Sequence, residues 1–107
     1  MVTIESTPEM VAKVYAAMGE NLEIVGRRLG RPMSLAEKVL LGHLDDPAGQ
    51  ELTPGKSQLL LRPDRVALQD VLGQTVMLNF RQTRQARTAV PTTVHCDHLI
   101  HARVEGG

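Results

Sequence analysis

The sequence has few aromatic residues, one cysteine, no excess of charge of either sign and no long apolar run, and each shortage removes a class of function. Tyr15 and Phe80 are the only aromatic side chains, so a surface that stacks successive nucleic-acid bases is excluded and any core is built from Leu, Val, Ile, Met and Ala. Cys96 is the single cysteine; it has no internal disulfide partner, which fits a reducing compartment. Twelve basic residues balance twelve acidic ones, leaving no net field to draw the chain onto nucleic acid or an anionic membrane. No apolar run approaches the roughly 20 residues of a membrane-spanning helix. Glu5 and Glu9 precede any apolar stretch, unlike the basic start and apolar centre of a secretory signal. The default expectation is a cytoplasmic protein with neither nucleic-acid nor membrane partners.

What is present is 107 residues, 42% of them hydrophobic, enough for one small globular domain. Thr7-Pro8-Glu9 opens a helix: a hydroxyl to cap, a proline suited to the first turn and an acid at the positive end of the dipole. Val11, Val14, Tyr15, Met18, Leu22, Val25 and Leu29 share one helical stripe, and Gly30 with Pro32 ends it. Ser34-Leu35-Ala36-Glu37 is a capping box heading a shorter helix to about His43. Residues 45–56 carry turn formers and little apolar periodicity, which predicts a surface loop. Leu59–Leu61 and Arg65–Gln69 suggest two short strands, interrupted by Pro63-Asp64. Asp70 is expected to cap a helix bearing Leu72, Val76, Met77 and Phe80 and ending near Arg84, followed by a β-branched strand from Thr88 to His95.

Strand, helix, strand at this spacing predicts a parallel pair with the helix over one face. The expected fold is therefore α/β: a helical arm over residues 1–44, then a β-α-β unit over 57–107, within one domain. Ligands of open parallel sheets sit outside the carboxyl ends of the strands. Gln69 and Asp70 end the first strand and Cys96, Asp97 and His98 follow the second, so both sets face one crevice if the strands are neighbours.

His95, Cys96, Asp97, His98 and His101 crowd ligand-type groups into one stretch, but no second ligand group with metal-site spacing accompanies them, and a polar strand-end cluster is the expectation rather than a metal site. Asp97 beside His98 suggests an acid-base pair, because a carboxylate favours the charged, proton-donating ring; the competing reading is a solvated loop dipeptide. Cys96 lacks a predicted partner to activate it and reads as an inert, buried thiol. Gln69 orients a ligand or bonds to backbone. Arg81, Arg84 and Arg87, and likewise Arg27, Arg28 and Arg31, read as solvated faces. Asp45-Asp46, after His43, read as helix termination and turn.

Three ordered blocks, Ser34–Pro47 (SLAEKVLLGHLDDP), Leu61–Asp70 (LRPDRVALQD) and Ala89–Ile100 (AVPTTVHCDHLI), resemble the aconitase family in its bacterial and mitochondrial-type branch. The resemblance extends from about Glu20 onward and is looser in the first helix. It implies the amino-terminal part of that family's first domain, and an enzyme that interconverts citrate and isocitrate through cis-aconitate. It further implies Gln69 as a substrate-binding glutamine and Asp97 and His98 as an acid-base pair, with His98 delivering a proton to the departing hydroxyl. The family's four-iron, four-sulfur cluster is held by three thiolates in later regions, where its serine base and arginine clamp also lie, and Cys96 matches none of those ligands. The resemblance thus implies a hydro-lyase fragment that is inactive alone and completed by the remainder of the enzyme. The rival expectation is a non-enzymatic remnant that associates through uncovered sheet edges and apolar faces.

Overall fold

A computed structural model of the chain describes residues 6–98. The chain divides into two compact units, Met1–Pro63 and Asp64–Gly107, each built from its own local signals. His101, like Leu99 and Ile100, lies outside the described residues.

In the first unit, helix α1 spans Pro8–Leu29. Its start is chemical: Thr7 is extended and its Oγ1 accepts from Met10 N at 3.2 Å, with Pro8 at the head and Glu9 in the first turn. Its end is conformational. Gly30 sits at φ 63°, where a Cβ is strained, and its N–H closes on Gly26 O. Helix α2 spans Leu35–Leu41 behind the expected capping box, in which Glu37 N donates to Ser34 Oγ and Ser34 N donates to Glu37 Oε1. It stops at Leu41, two residues before the expected His43, with Gly42 as its cap.

The core of this unit is small. Val25, Leu41 and Leu44 are buried, with Leu22, Leu29, Met33, Leu52 and Leu59 packed against them. The stripe on α1 is therefore used only in its carboxyl half, since Val11 and Tyr15 remain exposed. Polar groups hold the connection after α2: Asn21 Nδ2 donates to Gly42 O at 2.9 Å and Leu44 O at 3.2 Å. Arg28 donates to Pro47 O and Gln50 O at 2.7 and 2.5 Å, pinning the 45–50 turn. Arg31 pairs with Glu37 at 2.9 Å. These two arginines are structural donors, which corrects the expectation of a merely solvated face. Asp46 Oδ1 accepts from the Ala48 and Gly49 amides, and Asp45 pairs with Arg62, so the two acids organise the turn as expected. Leu59–Leu61 is not a strand; only Leu61 bridges, antiparallel to Leu44, because the neighbouring prolines and turn formers leave no partner ladder.

The second unit is the expected β-α-β. Strand β1 spans Val66–Gln69, helix α3 Asp70–Gln82 and strand β2 Thr92–His95. The strands pair in parallel with Gln69 opposite His95. β2 begins only at Thr92, after Pro91, which has no N–H to give a ladder but whose carbonyl accepts from Val66 N at 3.0 Å. Helix α3 ends at Gln82, and Arg84 turns the chain with φ 59°. The helix meets the sheet differently from expectation. Gly73 is its one buried residue, and a Cβ there would lie 3.1 Å from Val94 Cγ1. Leu72, Val76 and Met77 are exposed. Close approach of helix to sheet selects the smallest side chain at the contact, while Val76 and Met77, three and four residues on along the same helix face, stay exposed. No helix among the described residues is long and apolar enough to cross a membrane.

Candidate functional site at the carboxyl ends of the strands

Gln69 is the last residue of β1, and His95, opposite it, is the last of β2. The chain leaves β1 directly into α3 and leaves β2 through Cys96-Asp97-His98. The ends of both strands therefore deliver their next residues to one edge of the sheet. Three of the expected site residues meet there. Gln69 Nε2 donates to both carboxylate oxygens of Asp97, at 3.3 Å each, and lies 2.8 Å from His98 Nε2. His98 Nε2 also lies 3.2 Å from Asp97 Oδ1. Asp97 and His98 thus form a contacting pair, and Gln69 spans them through its amide instead of bonding to backbone.

The two contacts of His98 Nε2 require opposite proton occupancies. A bare Nε2 accepts from the Gln69 amide, whereas a protonated Nε2 donates to Asp97 Oδ1. The pair is open to solvent, with the side chains of His98 and Asp97 62% and 53% exposed, so a ligand reaches it directly.

Asp70 stands at the strand end beside the second strand's cluster, as expected, but not in the expected capping role. It is not the cap of α3: Gln69 holds that position without a side-chain cap bond, and Asp70 lies inside the first turn. Its carboxylate instead joins the cluster, where Asp70, Asp97 and His98 each bring one ligand-type atom within 4.8 Å of the others. Asp70 Oδ1 is buried and has no hydrogen-bond partner. Its position at the strand end is the signal that places it at this edge.

Among the described residues the other ligand-type side chains do not converge. His95 Nε2 turns to Thr93 Oγ1 at 2.8 Å, and Arg65 donates to the same hydroxyl at 3.2 Å. Cys96 is exposed, correcting the expectation of a buried thiol. Arg81, Arg84 and Arg87 are solvated as expected. His43 Nδ1 meets Val39 O at 2.6 Å, a helix-end contact. The first unit has a cavity of about 440 Å³ lined by Leu29, Leu40, Leu41, Leu52 and Leu59 with Arg31 and Glu37 at its wall. Those two charges neutralise each other, which leaves an apolar hollow without converging acid-base groups.

No family model matches the chain. Curated relatives do. An aconitate hydratase named as mitochondrial from Aspergillus fumigatus is 60% identical over 92 residues, covering 86% of this chain and 12% of the relative. Proteins of the same name from Saccharomyces cerevisiae and Schizosaccharomyces pombe are 55% and 54% identical, covering 86% and 87% of this chain and again 12% of theirs. The chain therefore spans about an eighth of the length of the relatives it matches.

Proposed function

From the premise that this chain is a homologue of the aconitate hydratases over an amino-terminal segment of that family, we propose that it supplies a half-site for reversible dehydration of citrate and isocitrate through cis-aconitate. Gln69 binds substrate, and Asp97 with His98 is the acid-base pair. The observation that supports this most is the contact of all three side chains at one edge of the sheet.

The chemistry follows from the two states of His98. Hydroxide is a poor leaving group, so the C–O bond breaks readily only as a proton reaches the departing oxygen. In this reading the protonated Nε2 of His98, held toward Asp97, gives that proton, and water departs. The bare nitrogen then accepts the Gln69 amide, and Asp97 stabilises the charged ring when the proton returns in the hydration direction. The proton taken from the neighbouring carbon goes to a base that these residues do not provide.

The family's iron-sulfur cluster does not fit the residues of this chain. Such clusters are held by several cysteine thiolates, and the chain has only Cys96, exposed and outside the cluster of Gln69, Asp97 and His98. The proposal accordingly includes inactivity of the chain alone, with both units acting as parts of one domain of the complete enzyme. It is tested by incubating the 107-residue chain with iron and sulfide and following citrate-to-isocitrate conversion. The proposal expects no turnover, and turnover by the chain alone would overturn the shared-site reading. A cytoplasmic location is carried as part of the proposal; recovery of the protein in an organelle fraction, the compartment in the relatives' names, would replace it.

The exposure of Val71, Leu72 and Leu78 on α3, at 66%, 67% and 59%, favours a second reading, a non-enzymatic interaction module. Association that persists when the Gln69 cluster is mutated is its expected signature.

A further inference from the structure

We propose that Asp70, Asp97 and His98 form a site for one divalent transition-metal ion of the zinc, cobalt or manganese kind. Three features of this edge of the sheet carry the proposal. The first is distance. One ligand-type atom from each residue lies within 4.8 Å of the other two, and an ion roughly 2.0–2.2 Å from each ligand holds tetrahedral ligands roughly 3.4 Å apart. Rotation of the exposed Asp97 and His98 side chains closes that difference.

The second is the orphaned oxygen. Asp70 Oδ1 is buried and accepts no hydrogen bond, an arrangement that costs stability because a carboxylate oxygen out of water has lost its donors. A cation held at the cluster offsets that cost. The third is the position of the proton shared by Asp97 Oδ1 and His98 Nε2, which are 3.2 Å apart. A cation that takes the proton's place joins a carboxylate oxygen to an imidazole nitrogen, both of them ordinary ligands of these metals. The Gln69 amide, 2.8 Å from the same nitrogen, exchanges its nitrogen for its oxygen by a half-turn and so offers a further neutral ligand.

The ligand set of one imidazole and two carboxylates suits zinc, cobalt(II) and manganese(II), and not the ions that seek thiolates. Neither His95, turned to Thr93, nor Cys96 is part of it. The site does not depend on the acid-base reading, although it uses two of the same residues. Metal and shared proton exclude one another, so the metal-loaded form is the one unable to transfer that proton.

The test is titration of the whole chain with manganese(II), followed through nuclear magnetic resonance of the histidine rings. The proposal expects paramagnetic broadening of His98 ahead of His43, His95 and His101. Zinc calorimetry on the same chain then measures affinity, and Asp70→Asn, which keeps the shape and removes the charge, is expected to lower it about tenfold or more. His98→Gln, at an exposed ring, separates ligand loss from unfolding and is expected to abolish the site. Broadening centred on another histidine, equal zinc affinity in Asp70→Asn and the parent chain, or no broadening at millimolar manganese would each overturn it.

Discussion

At the scale of single residues, the shared edge was readable and the contacts made there were not. Asp97 and His98 were recognisable as a candidate pair, and Gln69 as a strand-end amide, because the alternation of strand and helix places their segments at one edge. Asp70 was legible in part: its place at the strand end put it on the same edge, its neighbours supported a cap, and the folded chain brings its carboxylate beside Asp97 and His98. Asn21 was invisible, since its partners lie more than twenty residues away at Gly42 O and Leu44 O. Both carbonyls lose their donor in Asn21→Ala, which is expected to cost about 1–2 kcal/mol. Urea unfolding measures it, and an unchanged midpoint would mean that water replaces the amide without loss.

At the scale of elements, the caps were legible because they are set within four residues. Thr7, Gly30 and the Ser34-Glu37 box stand where the sequence places them. Gly30→Ala puts a Cβ at φ 63° and is expected to cost about 1 kcal/mol, read from the thermal midpoint. The box also has a pH signature. The Arg31 guanidinium, and then the Ser34 amide, hold the Glu37 carboxyl below its usual 4.5. A depressed folded value means that the carboxylate's contribution is fully present above the unfolded value and is lost as pH falls through the folded one. Glu37→Gln should therefore flatten stability below about pH 4.5, monitored as the urea midpoint against pH; an acid limb identical to the parent's would remove Glu37 from it.

The residue by which α3 meets the sheet was beyond periodicity. Val76 and Met77 share the helix face of Gly73, so the stripe marks the side but not that the closest contact is made by a glycine. The contact is made at Gly73 against Val94. Gly73→Leu, whose side chain has no room against Val94, should accordingly loosen the β-α-β unit while leaving α1 and α2 intact. Amide exchange resolved along the chain separates the two, and uniform protection in the variant would contradict the packing described.

At the scale of the whole molecule, the two units differ in how much apolar surface they cover. The first buries Val25, Leu41 and Leu44; the second leaves Val71, Leu72 and Leu78 of α3 exposed. Exposed apolar surface of this kind drives association, so Leu72→Glu with Leu78→Glu should shift the chain toward monomer in size-exclusion chromatography at matched concentration. The family resemblance was legible from three ordered blocks of sequence, and the relatives' names agree with it, but the chain matches only 12% of those proteins. The central claim is thus about a contribution to a site. Its most direct test is a chimera of the Aspergillus fumigatus enzyme in which the matching 92-residue stretch is replaced by that of this chain. The chimera is predicted to interconvert citrate and isocitrate, and to lose about a hundredfold to ten-thousandfold of that rate on His98→Ala; a His98→Ala chimera as fast as its parent would contradict the account.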